Sequence, residues 1–188
     1  MYVVLIGRPG VGKGTQAQRL CAELGLARIA TGEMLRETIR SGGEDNQKIA
    51  ASIDGGNLAA DDVIMKLVKD RLSKPGFENS CLFDGVPRTV AQAEALDELL
   101  WRRNAKIDVA VEISADTDEL VGRLLERAKI EKRRDDNLEA IHRRMDIFTR
   151  RTEPILEYYQ ERGVLRSVDG LGTRDEVFGR IRNCIEVR

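Results

Sequence analysis

The chain has 188 residues, which is long enough to bury the core of a single domain. Its 31 basic and 32 acidic residues leave a formal net charge of -1, so no overall field would draw the protein to nucleic acid or to an anionic membrane. No apolar run reaches the length of a membrane-spanning helix and no basic leader precedes the first apolar segment, so we expect neither an anchor nor a secretory signal. Cys21, Cys81 and Cys184 are isolated, which predicts reduced thiols in the cytoplasm and no cysteine-bound metal.

Short apolar segments alternate along the chain with longer segments of helical pattern. The predicted strands are Tyr2–Ile6, Ala27–Ala30, Cys81–Phe83, Ile107–Ile113 and Val164–Val168. The predicted helices are Lys13–Leu24, Thr31–Arg40, Asn46–Asp54, Asp61–Ser73, Thr89–Trp101, Thr117–Arg127, Leu138–Arg162 and Thr173–Val187. This alternation is typical of an α/β fold in which a five-stranded parallel sheet lies between helices on both faces.

The interval between the second and third strands is predicted to be helical throughout, with breaks at Gly42-Gly43 and Gly55-Gly56. It is too long for a simple crossover, so part of it should form a small lobe beside the sheet. No repeat, low-complexity tract or linker divides the chain, so we predict one domain with its ligands at the carboxyl ends of the strands.

The most informative segment lies between the first strand and the first helix. It reads Gly7-Arg8-Pro9-Gly10-Val11-Gly12-Lys13-Gly14-Thr15. The glycines let successive backbone N–H groups point at one anion, and the N-terminus of the following helix adds to the same field. Lys13 can reach the β- and γ-phosphates as a point charge. The segment therefore predicts a binding site for a nucleoside polyphosphate.

Further polar residues follow the second and third strands. Thr31 directly follows the second strand, where it would either cap the next helix or contact a ligand, and Arg36 would lean back toward the same edge. Asp84 ends the third strand, and Arg88 follows it as a planar donor suited to phosphate. Gln92, about one turn into the next helix, could present a donor and an acceptor to the edge of a base.

Between Arg123 and Arg151 the chain carries ten basic and six acidic residues. One interpretation is a solvated helix that carries charges of both signs. The spacing favours a second interpretation, because Arg123 and Arg127 are four residues apart and share one helical face. Arg133 follows after a short polar break, and Arg144 lies on the next, long helix. These four arginines could therefore act together.

Three segments, in this order, resemble the nucleoside monophosphate kinases, and among these the adenylate kinase family in its short-lid form. They are Gly7 to Gln16, Thr31-Gly32-Glu33-Met34-Leu35-Arg36, and Asp84-Gly85-Val86-Pro87-Arg88-Thr89 followed by Gln92. In the first segment Gly14 stands where most P-loops carry the Ser or Thr that holds Mg²⁺, and Thr15 comes one position later. The resemblance runs from Met1 to about Val187.

The resemblance implies a P-loop three-layer sandwich. Its core would comprise residues 1–30, 61–127 and 135–188, with a helical acceptor-binding lobe over about 31–60 and a short lid over about 128–134. The implied reaction is the reversible Mg²⁺-dependent transfer ATP + AMP = 2 ADP, in adenine nucleotide homeostasis. ATP, AMP and ADP are the implied partners of a monomer that binds neither nucleic acid nor membrane. The lid has no Cys or His, so no structural zinc is expected.

The resemblance also implies a role for each site residue. The implied catalytic residues are Lys13, Arg88, Arg123, Arg127, Arg133 and Arg144. The implied ATP-binding residues are Gly10, Val11, Gly12, Lys13, Gly14, Thr15, Arg123, Arg127 and Gly172. The implied AMP-binding residues are Thr31, Arg36, Asn57, Leu58, Ala59, Gly85, Val86, Pro87, Arg88, Gln92, Arg133 and Arg144. Asp84 is the implied Mg²⁺ ligand, acting through water.

Two positions depart from the usual residues of the family. Glu33 stands where the family often has Asp, a change that should leave binding unaffected. Val86 stands where the family usually has Phe, so we expect looser packing beside the acceptor base. His142, the only histidine, is expected to be exposed and without a role.

Three other functions fit parts of the sequence. A UMP/CMP kinase of the same fold typically carries Ala at the Thr31 position and Asn at the Thr89 position, whereas this chain has the adenylate-type residue at both. A nucleotide-dependent switch for guanine would carry Asn-Lys-x-Asp, which does not occur. An RNA binder would need aromatic residues among its basic ones, and only Phe148 and His142 lie in the arginine-rich stretch. We therefore favour AMP as the acceptor.

Overall fold

The computed structural model describes the backbone of residues 1–42, 44–131 and 137–186, and the side chains of residues 1–42, 49–130 and 137–186. A five-stranded sheet forms the centre of the molecule, with all strands parallel in the order β2-β3-β1-β4-β5. The strands are β1 (Tyr2–Ile6), β2 (Ala27–Ala30), β3 (Cys81–Asp84), β4 (Val109–Ser114) and β5 (Leu165–Asp169). The predicted five-stranded parallel sheet is confirmed.

Helices connect the strands. They are α1 (Lys13–Leu24), α2 (Thr31–Arg40), α3 (Glu44–Asp54), α4 (Asp61–Leu72), α5 (Val90–Trp101), α6 (Thr117–Glu131), α7 (Leu138–Ile147), α8 (Pro154–Glu161) and α9 (Arg174–Glu186). Three of them, α2, α3 and α4, lie between β2 and β3. Within the described part of the chain, no helix combines the length and the apolar character needed to cross a membrane.

Strand β1 contributes to two apolar cores because its side chains alternate between the faces of the sheet. Tyr2, Val4 and Ile6 pack into one core together with residues of α2, α4, α5 and α8. Val3 and Leu5 pack into the other core with residues of α1, α6, α7 and α9. The molecule therefore has the three layers that the sequence predicts.

The carboxyl ends of the strands meet at one edge of the sheet. Leu5 near the end of β1 pairs with Asp84 at the end of β3, and Asp84 in turn pairs with Ala30 at the end of β2. The loop that follows β1 and the helix that follows β2 consequently begin on either side of Asp84. This register brings three segments that are distant in sequence to one place.

The predicted single helix Leu138–Arg162 is wrong. The structure has a wider π-helical turn over Phe148–Thr152, between α7 and α8. Pro154 begins α8, and in a continuous α-helix it would leave a carbonyl without its donor and place the ring against the preceding turn. The turn accommodates one extra residue, and the Glu153 N–H donates to the Phe148 carbonyl at 2.8 Å.

Other element boundaries differ by a few residues. Helix α6 continues to Glu131, past its predicted end at Arg127. Thr89, predicted as the first residue of α5, is its N-cap instead, because its Oγ1 accepts a hydrogen bond from the Gln92 N–H at 3.1 Å. The predicted end of the last helix, Val187, lies outside the described residues.

Candidate active site

The loop between β1 and α1 packs closely against α6. Gly10 has a φ of +85°, and a Cβ at this position would lie 2.9 Å from the Leu120 carbonyl oxygen, so only glycine fits. The loop leads to Lys13, the first residue of α1. The Nζ atom of Lys13 donates to the carbonyl of Gly7 and, at 2.9 Å, to the carbonyl of Arg8. The lysine thus lies at a helix N-terminus, where backbone N–H groups favour an anion.

A cavity of about 990 Å³ opens beside this loop, and we call it the P-loop cavity. Among the side chains that the structure describes, eight cationic and three acidic ones line it. The cations are Lys13, Arg28, Arg36, Arg88, Arg123, Arg127, Arg144 and Arg174, and the acids are Glu33, Asp84 and Glu126. An excess of positive charge in a concave site favours a polyphosphate over a neutral ligand.

The pKa of Lys13 reflects the burial and the charges inside this cavity. Its pKa is lowered from 10.5 to about 7, and burial is the largest cause. The charge of Asp84 opposes this lowering of the pKa. The guanidinium groups of Arg88, Arg144 and Arg127 reinforce it. A phosphate placed beside Nζ would reverse these effects and favour the protonated lysine.

Asp84, at the end of β3, faces the P-loop across Arg28. A Cβ on Gly14 would lie 3.6 Å from Asp84 Oδ2 and 3.5 Å from Arg28 Nη2. Arg28 donates to Asp84 Oδ2 at 2.6 Å and to Glu33 Oε1 at 2.9 Å. Arg28 was not among the site residues predicted from the sequence. The available signal was a cation inside a four-residue strand, three residues before Thr31.

The residues at this place fit a magnesium ion. In the described ranges, no group of three or more His, Cys, Asp or Glu side chains could hold a metal ion by itself. Mg²⁺ usually keeps several waters and takes one or two carboxylates together with phosphate oxygens of the substrate. A single carboxylate, Asp84, that faces a phosphate-binding loop matches this requirement.

A second, smaller cavity of about 70 Å³ adjoins the first, and we call it the α2 cavity. Its lining comes from α2, from α3, α4 and the segment between them, from the loop after β3, and from single residues of α5 and α7. Of the described residues, six line both cavities: Gly32, Arg36, Leu58, Gly85, Arg88 and Arg144. Three arginines therefore lie where the two cavities meet.

The Gly85 carbonyl accepts hydrogen bonds from two residues that line the α2 cavity. Thr31 Oγ1 donates to it at 2.9 Å and Arg88 Nε donates to it at 2.8 Å. Gly85 has a φ of +86°, and a Cβ here would lie 2.8 Å from Thr31 Oγ1, which requires glycine. The N-cap of α2 is Ala30, so the interpretation of Thr31 as a side-chain cap is wrong. Its hydroxyl instead joins α2 to the loop after β3.

Gln92 is 1% exposed and belongs to a hydrogen-bonded group with Asp61 and Thr89. Its Oε1 accepts from the Arg88 N–H at 2.7 Å, and its Nε2 donates to Asp61 Oδ1 at 2.7 Å. Thr89 Oγ1 donates to Asp61 Oδ2 at 2.9 Å. A backbone donor on one side and a carboxylate on the other determine which way the Gln92 amide points. Asp61 was predicted only as the first residue of a helix, without a role in the site.

Three arginines on α6 and α7 face the cavities. Arg123 and Arg127 both line the P-loop cavity, whereas Arg144 lines both cavities. Arg123 also forms an ion pair with Glu119, one turn earlier on α6. Arg123 therefore fits both interpretations of the arginine-rich stretch, because it belongs to a charged helix surface and also faces the site. Arg133 lies outside the described residues.

The loop after β5 forms another wall of the P-loop cavity. Gly172, Thr173 and Arg174 line this wall. Gln16, in the first turn of α1, is 3% exposed, and its Nε2 donates to the Arg174 carbonyl at 3.0 Å. This bond connects the P-loop helix to the loop after β5, a link that the sequence analysis did not anticipate.

The predicted site residues divide between the cavities. Those that line only the P-loop cavity are Gly10, Val11, Gly12, Lys13, Gly14, Thr15, Asp84, Pro87, Arg123, Arg127 and Gly172. Those that line only the α2 cavity are Thr31, Asn57, Ala59 and Gln92, and those that line both are Arg36, Leu58, Gly85, Arg88 and Arg144. Val86 lines neither cavity, because its side chain is 1% exposed and packs into the core. His142 is exposed.

A phosphate-binding loop after the first strand of a parallel sheet, with a lysine at the start of the following helix, is the architecture of the P-loop enzymes. The adjoining α2 cavity and the arginines shared between the two cavities suit the transfer of a phosphoryl group, in which charge must be neutralised on both sides. The fold and the site together define a P-loop phosphotransferase.

Comparison with known proteins gives the family. Residues 5–164 match the family model described as adenylate kinase. The adenylate kinase of Maricaulis maris is 41% identical over 186 residues, which cover 99% of this chain and 99% of the relative. The Thermus thermophilus adenylate kinase is 43% identical over 185 residues, covering 98% and 97% of the two chains. The Thermobifida fusca adenylate kinase is 40% identical over 188 residues and covers both chains completely.

The chain therefore belongs to the adenylate kinase family, and it is a nucleoside monophosphate kinase. The expectation from the three sequence motifs is confirmed. The comparisons do not favour the alternatives considered above, a UMP/CMP kinase, a nucleotide switch or an RNA binder.

Proposed function

We propose that the chain transfers the γ-phosphoryl group of ATP to AMP, reversibly and with Mg²⁺, and so maintains the balance of adenine nucleotides. The observation that carries this proposal is the junction of the two cavities, which Arg36, Arg88 and Arg144 line from both sides. Phosphates held in the two cavities would face the same three guanidinium groups. Such an arrangement suits transfer between two bound anions better than hydrolysis of one.

We assign ATP to the P-loop cavity. The backbone N–H groups of residues 10–15 and the Lys13 ammonium would hold the β- and γ-phosphates. Arg123 and Arg127 would add positive charge from α6, and Gly172 would lie in the wall beside the nucleoside. The number of cations around this cavity supports the assignment, because ATP carries the larger negative charge of the two substrates.

We assign AMP to the α2 cavity. Thr31, Gln92 and residues 57–59 would surround the base, and Arg36, Arg88 and Arg144 would hold the phosphate at the junction. The cavity volume of about 70 Å³ is too small for a whole nucleotide. We therefore propose that the acceptor-binding lobe, residues 31–60, moves relative to the core, residues 1–30, 61–127 and 135–188, when AMP binds.

We propose that Asp84 holds Mg²⁺ through water, together with the phosphates of ATP. When bound, the ion neutralises charge that develops on the β- and γ-phosphate oxygens. Asp84 suits this role because its carboxylate faces Gly14 of the P-loop and its side chain is 13% exposed. With Mg²⁺ bound, this carboxylate would accept hydrogen bonds from water molecules on the ion.

The remaining chemistry is positioning and charge neutralisation by side chains of the protein. An AMP phosphate oxygen is ionised at neutral pH, so no general base is required. Lys13 in the P-loop cavity and Arg88 and Arg144 at the junction would act as fixed donors, which stabilise a charge-separated transition state without reorganising. The lid, about residues 128–134, would exclude water that competes with AMP. Its residues 132–134, including Arg133, lie outside the described residues.

The same proposal includes a monomer in the cytoplasm. Residues of one chain line both cavities, which supports a site that needs no second subunit. Cys21, Cys81 and Cys184 are free thiols, which supports a reducing compartment.

A mimic that joins two adenosines through five phosphates tests whether both sites act together. It should bind at least about 100-fold more tightly than ATP alone, because the second half binds at a high effective concentration. Binding no tighter than ATP would contradict a two-nucleotide site.

A steady-state comparison of AMP, CMP, UMP and GMP as acceptors identifies which base the acceptor site prefers. The proposal requires AMP to have the highest kcat/KM.

A further inference from the structure

Arg28 is a cation of the P-loop cavity that is hydrogen-bonded to two carboxylates of the same cavity. Its Nη2 lies 2.6 Å from Asp84 Oδ2 and its Nη1 lies 2.9 Å from Glu33 Oε1. The Arg28 and Asp84 side chains are 23% and 13% exposed, respectively. Ion pairs at this depth are less screened by solvent than surface pairs.

The ion pair of Arg28 and Asp84 lies directly beside the P-loop. A Cβ on Gly14 would lie almost equally far from Arg28 Nη2 and Asp84 Oδ2, at 3.5 and 3.6 Å. Both charged groups therefore face the residue after Lys13, where the phosphates of a nucleotide are expected. Any cation that approaches Asp84 from the phosphates meets the guanidinium already on that carboxylate.

We infer that Arg28 competes with Mg²⁺ for Asp84 and thereby sets how strongly nucleotide binding depends on the metal. Without Mg²⁺, the Arg28 charge lies near the phosphates and favours metal-free ATP. With Mg²⁺, the same charge repels the ion and occupies one oxygen of the carboxylate that orients its water shell. Arg28 is in this sense a positioning residue, because it acts through Asp84 and the metal. The inference rests on the proposed assignment of Mg²⁺ to Asp84.

The coupling between metal and nucleotide measures this role directly. It is the ATP dissociation constant measured in EDTA divided by the one measured with saturating Mg²⁺. Arg28→Gln should weaken ATP binding in EDTA while leaving binding with Mg²⁺ unchanged or tighter. The coupling ratio should therefore rise at least about fivefold, since a full charge near the phosphates and the ion is removed. Calorimetry at fixed pH and ionic strength measures both constants without any turnover.

Two further variants separate charge from structure. Arg28→Lys keeps the positive charge but loses the planar fork that contacts two carboxylates, and because the charge is what competes with the ion, the ratio should change by less than about twofold. Arg182→Gln is the matched control, because Arg182 also holds two carboxylates, Glu23 at 3.2 Å and Glu186 at 3.6 Å, but does not line either cavity. It should leave the ratio as in the parent protein. The melting temperature of each variant verifies that it is folded.

Two results would contradict competition between Arg28 and Mg²⁺. If Arg28→Gln changes both dissociation constants by the same factor, or if Arg28→Lys behaves like Arg28→Gln, Arg28 does not compete with the metal. Asp84→Asn tests the underlying assignment and should reduce the ratio strongly. If Asp84→Asn reduces the ratio and Arg28→Gln leaves it unchanged, only the competition fails. If Asp84→Asn leaves it unchanged, the metal assignment fails and the inference fails with it.

Discussion

The two cavities are built by different physical means. The P-loop cavity is formed by the backbone of a glycine loop, by a helix N-terminus and by cationic side chains from several elements. The α2 cavity is shaped by directional hydrogen bonds, in which Thr31 and Arg88 share the Gly85 carbonyl and Gln92 is oriented by Asp61. Charge attracts any polyphosphate, whereas directional bonds distinguish one base from another. We therefore expect changes in the first cavity to alter the rate and changes in the second to alter the choice of acceptor.

The largest effect should come from the P-loop cavity. Lys13→Ala should lower kcat at least about 100-fold, because one preorganised donor to the transition state is lost. Circular dichroism should be unchanged, since Lys13 contributes little to the apolar cores. Lys69→Ala, on the exposed face of α4, is the control and should be fully active. Near-normal turnover in Lys13→Ala would contradict the P-loop assignment.

Arg144 tests the junction between the cavities. Arg144→Ala should lower kcat/KM about 10- to 100-fold for both nucleotides, because one charged donor faces both substrates. Arg143→Ala is a close control, since Arg143 is the preceding residue of α7 and is exposed beside Glu139. Its kinetics should match those of the parent protein. An effect of Arg144→Ala on ATP alone would place this arginine in the donor site only.

The α2 cavity should respond more weakly and more selectively. Asp61→Asn removes an acceptor from Thr89 or from Gln92 and should raise the KM for AMP by a factor that corresponds to about 1–2 kcal/mol. The KM for ATP should not change. Asp62→Asn changes the adjacent, exposed carboxylate of α4 and serves as the control. Equal changes for both nucleotides would show that Asp61 does not act through the acceptor base.

Gln92→Ala should also raise the KM for AMP, by a factor that corresponds to about 1–2 kcal/mol for one or two lost hydrogen bonds. Comparing this variant with Asp61→Asn and with the double variant tests the hydrogen-bonded group. Because the two residues contact each other, their effects should not add. Strict additivity would mean that each residue acts separately.

The pH dependence sharpens the electrostatic side of the comparison. The Lys13 pKa is lowered to about 7 in the folded protein, against 10.5 for the free side chain, so the unfolded chain binds more protons between these values. The Lys13 contribution to the free energy of unfolding should therefore rise as the pH increases from about 7 to 10.5. ATP binding at pH 8 should take up about one proton. Calorimetry in buffers of different ionisation enthalpy measures this uptake, and Lys13→Gln should abolish it.

Features that are contiguous in sequence could be predicted correctly. The P-loop is one uninterrupted segment, and the strands are short apolar runs, so local patterns were sufficient for the parallel sheet. Arg28 and Asp61 were missed because their partners are distant: Arg28 and Asp84 are 56 residues apart, and Asp61 and Gln92 are 31 apart. Such pairs meet only through the register of the sheet and the packing of α4 on α5.

Two further differences have local causes. Val86 was expected beside the acceptor base, but its side chain lies on the core side of the loop after β3. The long helix after residue 138 was expected to be continuous although Pro154 is visible in the sequence. A proline inside a helical pattern predicts a break, and greater weight on that rule would have separated α7 from α8.

The π-helical turn that accommodates Pro154 also sets the rotational phase of the chain. Ile141 and Met145 on α7 pack into one apolar core, whereas Ile155 and Tyr159 on α8 pack into the other. One residue of helix corresponds to a rotation of about 100°, so the extra residue turns the apolar stripe of α8 away from that of α7. If residues 148–152 formed a regular α-helical turn instead, both stripes would return to one phase. The two halves would then compete for the same side of the sheet, while Arg144 and the tyrosines of α8 could no longer both keep their positions.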